Sequence, residues 1–204
     1  GFNAGSALAS GTLAAQALIG TQLAACAGLL AWCGLEKLRT GHATTLGAAS
    51  GAVAGLVAIT PAAGYVNSMA AIGIGAAGGL VALFAVNAKH RAGYDDALDV
   101  VGVHGAAGVV GTLLVGVFAS SAVNPAIRFD GLVDGGGAHL LGVQALAVVV
   151  TIGWAFSMSW LLATAVQRTI GLRVEKAHEI EGLDATLHAE SAYEFGSVHA
   201  TRIG

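Results

Sequence analysis

The stretch Asp95-Asp96-Ala97-Leu98-Asp99-Val100-Val101-Gly102-Val103-His104-Gly105 changes character halfway along. Three carboxylates come first, then an apolar run that continues to Ala119 and contains one imidazole. Acidic side chains at the start of a helix accept from its unpaired N–H groups and complement its dipole. The three-residue spacing of Asp96 and Asp99 suits that capping role, which is favoured over proton transfer. Counted from Asp96 at about 1.5 Å per residue, His104 lies roughly 12 Å into the run. If the run crosses a bilayer, the imidazole sits near its middle, where an ionisable group is costly and faces a cavity or a partner. Two readings stay open from the residues alone: His104 hydrogen-bonds a neighbouring helix, or it faces a pathway. Gly102, Gly105 and Gly108 leave space beside the ring and favour the second.

Four further apolar stretches accompany this one, and the five run over residues 8–35, 44–60, 68–88, 97–119 and 138–167. Apolar residues make up 55% of the 204 and charged residues 10%, against about 25% charged in soluble domains. A hydrocarbon core needs about 20 helical residues to span it, so the second stretch is near the short limit and the fifth has length to spare. None of the five shows a polar stripe, which argues against buried helices of a soluble protein. The basic residues fall after the first stretch (Lys37, Arg39), after the third (Lys89, Arg91) and after the fifth (Arg168, Arg173, Lys176). The loop at 61–67 has none, and the loop at 120–137 has only Arg128 beside Asp130 and Asp134. Alternating passes therefore put every strongly basic segment on one side, which the positive-inside rule makes cytoplasmic.

Small residues recur at four-residue spacing: Gly47, Gly51 and Gly55 in the second stretch, Gly75 and Gly79 in the third. Such faces let helix backbones approach closely in lipid, and a compact bundle is expected. Cys26 and Cys33, seven apart on one helix face and about 10 Å from each other, cannot form a disulfide together and read as packing residues. The net charge of −3 is too small for a nucleic-acid partner, and all of it lies after Arg168. There Leu172, Val174, Ile180, Leu183, Leu187 and Tyr193 suggest a structured extension that docks on the cytoplasmic face rather than a solvated tail. No phosphate-binding loop, paired-cysteine motif or nucleophile elbow is present, so no enzyme activity, metal or cofactor is expected. The other histidines, His42, His90, His139, His178, His188 and His199, fall in loops, at a helix end or in the tail, where surface or capping roles are the default. The chain lacks an initiator Met and opens with Gly1-Phe2-Asn3-Ala4-Gly5-Ser6, which reads as the middle of a motif; a portion ahead of Gly1 is expected.

The opening stretch closely resembles the signature of the ammonium transporter (Amt/Mep/Rh) family. Residues 1–7 look like that family's sixth helix. Residues 51–65, with Ala54-Gly55-Leu56-Val57 and Thr60-Pro61-Ala62-Ala63-Gly64-Tyr65, look like its eighth. Gly171-Leu172-Arg173-Val174, then Gly182-Leu183-Asp184, His188, Glu190, Ala192 and Tyr193, resemble its C-terminal regulatory tail.

The resemblance implies an all-α polytopic membrane protein: the second half of an eleven-helix inverted repeat, assembled as a homotrimer in the cell membrane. Five complete passes would follow the end of a sixth helix. Residues 1–168 would form the transmembrane domain and residues 169–204 a cytoplasmic regulatory tail. The substrate would be ammonium or ammonia, with a PII-type regulatory protein as possible partner; a sensor that signals through the tail is the alternative. His104 is similar to the second of a pair of pore histidines. Phe2 is similar to a phenylalanine gating the outer mouth, Ser6 to a hydroxyl that binds ammonium outside it, and Val53 to an aliphatic pore-lining position. Without the resemblance, Phe2 and Val53 would be read as packing residues and Ser6 as bonded back to a carbonyl. The first histidine belongs to the other half of the family's fold, so this chain alone is not expected to conduct. Asp96, Asp99, Gly182, Asp184, His188, Glu190 and Tyr193 carry structural or regulatory expectations. Ala189 stands where the family usually has Gly, which puts a tight turn there in doubt.

Overall fold

In the computed structural model, residues 1–191 are described, and all their regular structure is helical. A single turn, α1 (Phe2–Gly5), precedes α2 (Thr12–Thr40), α3 (Thr45–Ile59) and α4 (Ser68–Ala92). The next helix, α5, opens as a π-helical segment, Val101–Ala106, and continues as α-helix over Ala107–Phe118. It is followed by α6 (His139–Thr169) and α7 (Lys176–Glu181), then a π-helical turn, Asp184–His188. The chain divides into two compact units, Gly1–Ile152 and the part from Gly153 onward.

The starts and stops have local causes. The Thr44 hydroxyl accepts the N–H of Gly47 at 2.9 Å and starts α3, and the Asn67 side chain accepts that of Ala70 at 2.9 Å and starts α4. Gly41 (φ 84°) and Gly93 (φ 68°) end α2 and α4 in the left-handed conformation that glycine adopts without strain. The apolar stretch expected from residue 8 becomes helical only at Thr12: Leu8 has a φ of 56° and Gly11 is extended. Likewise the stretch expected from residue 97 becomes helical only at Val100, because Asp99 has a φ of 56°.

Four helices, α2, α4 as far as Lys89, α5 and α6, are long and apolar enough to cross a membrane. The fifth expected pass, α3, has 15 residues, about 22 Å at 1.5 Å per residue. It is short for a bilayer core because a run of turns takes over from Thr60.

Small residues hold the first unit together. A Cβ on Gly28 of α2 would lie 2.5 Å from the Gly51 carbonyl oxygen and 2.8 Å from the Cα of Gly55 on α3. A Cβ on Gly79 of α4 would lie 2.9 Å from the Cα of Gly28, and one on Gly75 would be 2.5 Å from the Cα of Ala24. Both expected glycine stripes therefore pack against one short segment of α2. The core is correspondingly fine-grained: Ala24, Ala54, Ala58, Ala62, Ala71 and Ala82 are fully buried, and Ile59 and Ile74 are the largest fully buried side chains. Leu18, Ile19, Leu30, Leu46, Met69 and Phe84 point outward. A small-residue interior under a large apolar exterior suits a lipid solvent. Both cysteines are free; Cys33 is partly covered and Cys26 is exposed.

The second unit has its own turn chemistry. Gly171 (φ 82°) and Gly182 (φ 109°) bracket α7. The Glu190 N–H reaches the Asp184 carbonyl at 3.0 Å, with Ala189 at φ 54° and ψ 33°. The tight turn expected to suffer from the lack of Gly at 189 therefore forms, with Ala189 in the left-handed conformation. Tyr193 lies outside the described residues.

Candidate functional site

Two cavities and one exposed stripe hold the residues with functional expectations. The first cavity, about 200 Å³, is lined by Phe2, Asn3, Ser6, Tyr65 and Asn124 among others. Asn3 anchors α1: its amide donates to the Thr21 hydroxyl at 3.1 Å and the Thr60 hydroxyl at 3.4 Å. Those bonds tie the α1 turn to α2 and to the end of α3. Phe2 is then left almost entirely exposed at 90%. The Ser6 hydroxyl donates to the Phe2 carbonyl at 3.1 Å, which leaves its oxygen free to accept. Asn124 is buried, and its side-chain oxygen accepts the Ala126 N–H at 3.0 Å.

The second cavity, about 450 Å³, is lined by Glu36, Arg39, Ser50, Asn87 and Asp99 among others. The Glu36 carboxylate takes both the N–H and the hydroxyl of Thr44, at 3.0 and 2.9 Å, and so clips the α2–α3 loop. Arg39 lies over the Phe84 ring, 5.4 Å from its centroid.

Helix α3 joins the two cavities, with Ser50 lining one and Thr60 the other. Ten residues of helix separate them, about 15 Å. Val53 lies between them and is exposed. Beside α3 runs α5: a Cβ on Gly108 would lie 3.6 Å from the Cγ1 of Val57. On α5, Val100, Val101, His104 and Gly105 form an exposed stripe. His104 is therefore an imidazole on an aliphatic surface, with no hydrogen-bond partner among the described residues. The reading in which it bonds a neighbouring helix finds no such bond among the described residues. Its place along the helix also differs from expectation. Helical backbone begins only at Val100, so His104 lies about one turn from the helix start rather than about 12 Å into it. The turn at 96–99 uses up the residues that a continuous helix would have spent on rise.

Asp96 performs the expected capping. Its two carboxylate oxygens accept the N–H groups of Val100 and Val101, each at 2.9 Å. The bond from Val101, then that from Val100 and the nearby Lys89 charge, hold its carboxyl below the usual carboxylate range against the opposing effect of burial. Asp99 does something else: it pairs with Lys89, which also donates to the Asp96 carbonyl at 2.7 Å. The pairing was not expected, because Lys89 reads as a loop residue after the third stretch and Asp99 as a helix cap of the fourth. In the tail, Asp184 and His188 open and close the π-helical turn, and both are exposed. The described residues contain no group of three or more His, Cys, Asp or Glu placed to hold a metal.

The structure brings Phe2 and Ser6 to one cavity and Val53 and His104 to neighbouring exposed faces. It adds Asn3, Tyr65 and Asn124 in short turns and Ser50 and Asn87 inside α3 and α4, isolated polar side chains that carry no periodic signal.

A helical bundle with an apolar exterior, four span-length helices and one imidazole on an aliphatic stripe defines a multi-pass membrane protein. Residues 1–193 match the profile of the Ammonium Transporter Family, and the chain belongs to that family. It is 48% identical to a putative ammonium transporter of Methanothermobacter thermautotrophicus, over 95% of this chain and 47% of that protein. It is 44% identical to an ammonium transporter of Mycobacterium tuberculosis, over 100% of this chain and 44% of that protein. The chain thus spans less than half the length of these relatives. Its fold matches the crystal structure of Saccharomyces cerevisiae Mep2 with a TM-score of 0.81 at 32% identity, over 86% of this chain and 40% of that one. It matches a protein described as a sensor Amt protein with a TM-score of 0.81 at 29% identity, over 94% of this chain and 45% of that one. The family is one of transporters, not enzymes.

Proposed function

We propose that the chain forms part of an ammonium conduction pathway, with His104 as its central polar group. The observation that carries this reading is the single imidazole on an exposed aliphatic stripe, beside a helix with a cavity at each end. A cation at the centre of a bilayer costs at least about 2.5–3.5 kcal/mol. Ammonium avoids that cost if it gives up its proton and crosses as neutral ammonia. A neutral imidazole both donates and accepts a hydrogen bond, so His104 can orient ammonia or pass a proton. Ser6 and the cavity around it receive ammonium, Phe2 excludes water and larger cations, and Val53 lines the path.

In this reading the stripe of α5 is completed by a second set of helices related by an inverted repeat, in an eleven-helix, trimeric transporter of the cell membrane. Residues 1–168 are the transmembrane domain. Residues 169–204 are a cytoplasmic tail available to a PII-type protein. In a liposome assay of the intact transporter containing this chain, His104→Ala abolishes ammonium flux or changes its ion selectivity. Unaltered flux with unaltered selectivity would count against the assignment.

A second reading is an ammonium sensor that transports little, and the likeness to the sensor Amt protein favours it. The same flux assay on the unmutated protein separates the two.

A further inference from the structure

Helix α5 does not begin as an α-helix. Val101–Ala106 are π-helical, and His104 lies in that wider turn. Such turns are rare, usually single, and frequent at functional sites. A sparsely populated conformation persists only where its surroundings over-determine it. Three contacts do so here. The Asp96 carboxylate takes the N–H groups of Val100 and Val101. Gly102 lies so close to α4 that a Cβ there would be 2.8 Å from the Cγ2 of Val86 and 3.1 Å from its backbone nitrogen. Lys89, near the end of α4, donates both to the Asp96 carbonyl, at 2.7 Å, and to the Asp99 carboxylate.

The third contact controls the entry to the turn. Asp99 sits at φ 56°, an uncommon conformation for a residue other than glycine. Its N–H reaches the Asp96 carbonyl at 3.2 Å, and its carbonyl accepts the Val103 N–H at 2.8 Å, an α-type bond that leads into the π segment. One ammonium group on α4 therefore holds two acceptors of this launching turn. If the turn relaxed into regular α-helix while Gly102 stayed pinned against Val86, His104 would rotate about the helix axis.

We propose that Lys89 is a positioning residue for His104: by clasping the Asp96 carbonyl and the Asp99 carboxylate, it holds the π turn that sets the direction of the imidazole. Among the described residues Lys89 bonds to Asp96 and Asp99 and not to the imidazole. The inference rests on the reading of His104 as a pathway residue.

The test measures ammonium flux into proteoliposomes for the intact transporter, Lys89→Met, Lys89→Arg, His104→Ala and the Lys89→Met/His104→Ala double variant. Each protein is first checked for monodispersity by gel filtration, and Lys89→Gln replaces Lys89→Met if the latter fails to insert. Lys89→Met lowers maximal flux about tenfold, the size expected for coupled neighbours. The half-saturating ammonium concentration stays the same, because the cavity of Phe2 and Ser6 is untouched. Lys89→Arg keeps the cation and restores most of the flux. In the His104→Ala background the residual flux, or its altered ion selectivity where flux remains, is unchanged by Lys89→Met. Where no flux remains, the comparison is made on the melting temperature, which Lys89→Met lowers by less than His104→Ala does. An equal loss in both backgrounds would mark Lys89 as general structural support and overturn the proposal. Full flux in Lys89→Met beside lost flux in His104→Ala overturns the proposal and leaves the pathway reading standing. Full flux in His104→Ala overturns both.

Discussion

Ala189 and Asp96 are two residues whose local conformations carry measurable consequences. Ala189 adopts the left-handed conformation at φ 54°, which costs an L-residue with a Cβ about 1–2 kcal/mol. Ala189→Gly is therefore expected to stabilise the 184–190 turn by about 1 kcal/mol. Slower amide exchange of Glu190, whose N–H closes the turn, is the measurement; faster exchange would contradict the expectation. For Asp96 the sign follows from its depressed pKa, caused first by the Val101 N–H. A carboxylate that ionises more readily when folded stabilises the protein above its unfolded pKa, about 3.9. That stabilisation is lost as pH falls through the lower folded value. Asp96→Asn should lower the melting temperature at neutral pH, and the gap to the unmutated protein should close as pH drops below about 4. A gap that persists at low pH would show that the bonds to Val100 and Val101 do not depend on the charge.

The helices cohere through backbone proximity rather than large interlocking side chains. The segment of α2 around Ala24 and Gly28 receives α3 at Gly51 and Gly55 and α4 at Gly75 and Gly79. Gly28→Val should cost about 1–3 kcal/mol or more, because the new side chain meets backbone on both neighbours and neither can move aside. Gly34, on the same helix with open space around it, is the control, and Gly34→Ala should be neutral or stabilising by up to about 1 kcal/mol. Thermal unfolding in detergent reads both. The N-terminus of α3 is a separate case. Thr44→Ala removes the cap to Gly47 and the hydroxyl partner of Glu36, and should cost about 0.5–2 kcal/mol. A smaller loss in Thr44→Ser, which keeps the hydroxyl, would identify the hydrogen bonds rather than the methyl group as the cause.

At the scale of the whole molecule, topology is the quantity most open to test. The basic residues of the 36–44 and 89–95 segments predict one side of the membrane, and the 120–137 loop the other. In a background without Cys26 and Cys33, single cysteines at His42 and Val133 should react with an impermeant thiol reagent from opposite sides of sealed vesicles. Val133 is 65% exposed, so access is not limited by burial. Labelling of both from one side would remove the alternation on which the orientation rests.

Much of this architecture can be read along the chain because lipid-facing helices obey one-dimensional rules. Length and hydropathy located α2, α4, α5 and α6, and glycine spacing located the faces of α3 and α4 that meet α2. Membership of the family was legible in the stretch around His104 and in residues 1–7, where motif order survives without any geometry. The rest depended on where separated segments meet. The pairing of Lys89 with Asp99 joins two apolar stretches across a turn that hydropathy reads as continuous with the helix. The π-helical start of α5 arises because Asp99 turns left-handed under that pairing while Gly102 is held against α4. The cavity at Phe2 and Ser6 exists because Asn3 bonds Thr21 and Thr60, residues far along the chain. The sequence by itself determined which residues are apolar, small or ionisable, and so the class of protein. Only the tertiary structure decided which way His104 points, because that direction is set by contacts between helices rather than by the period of one.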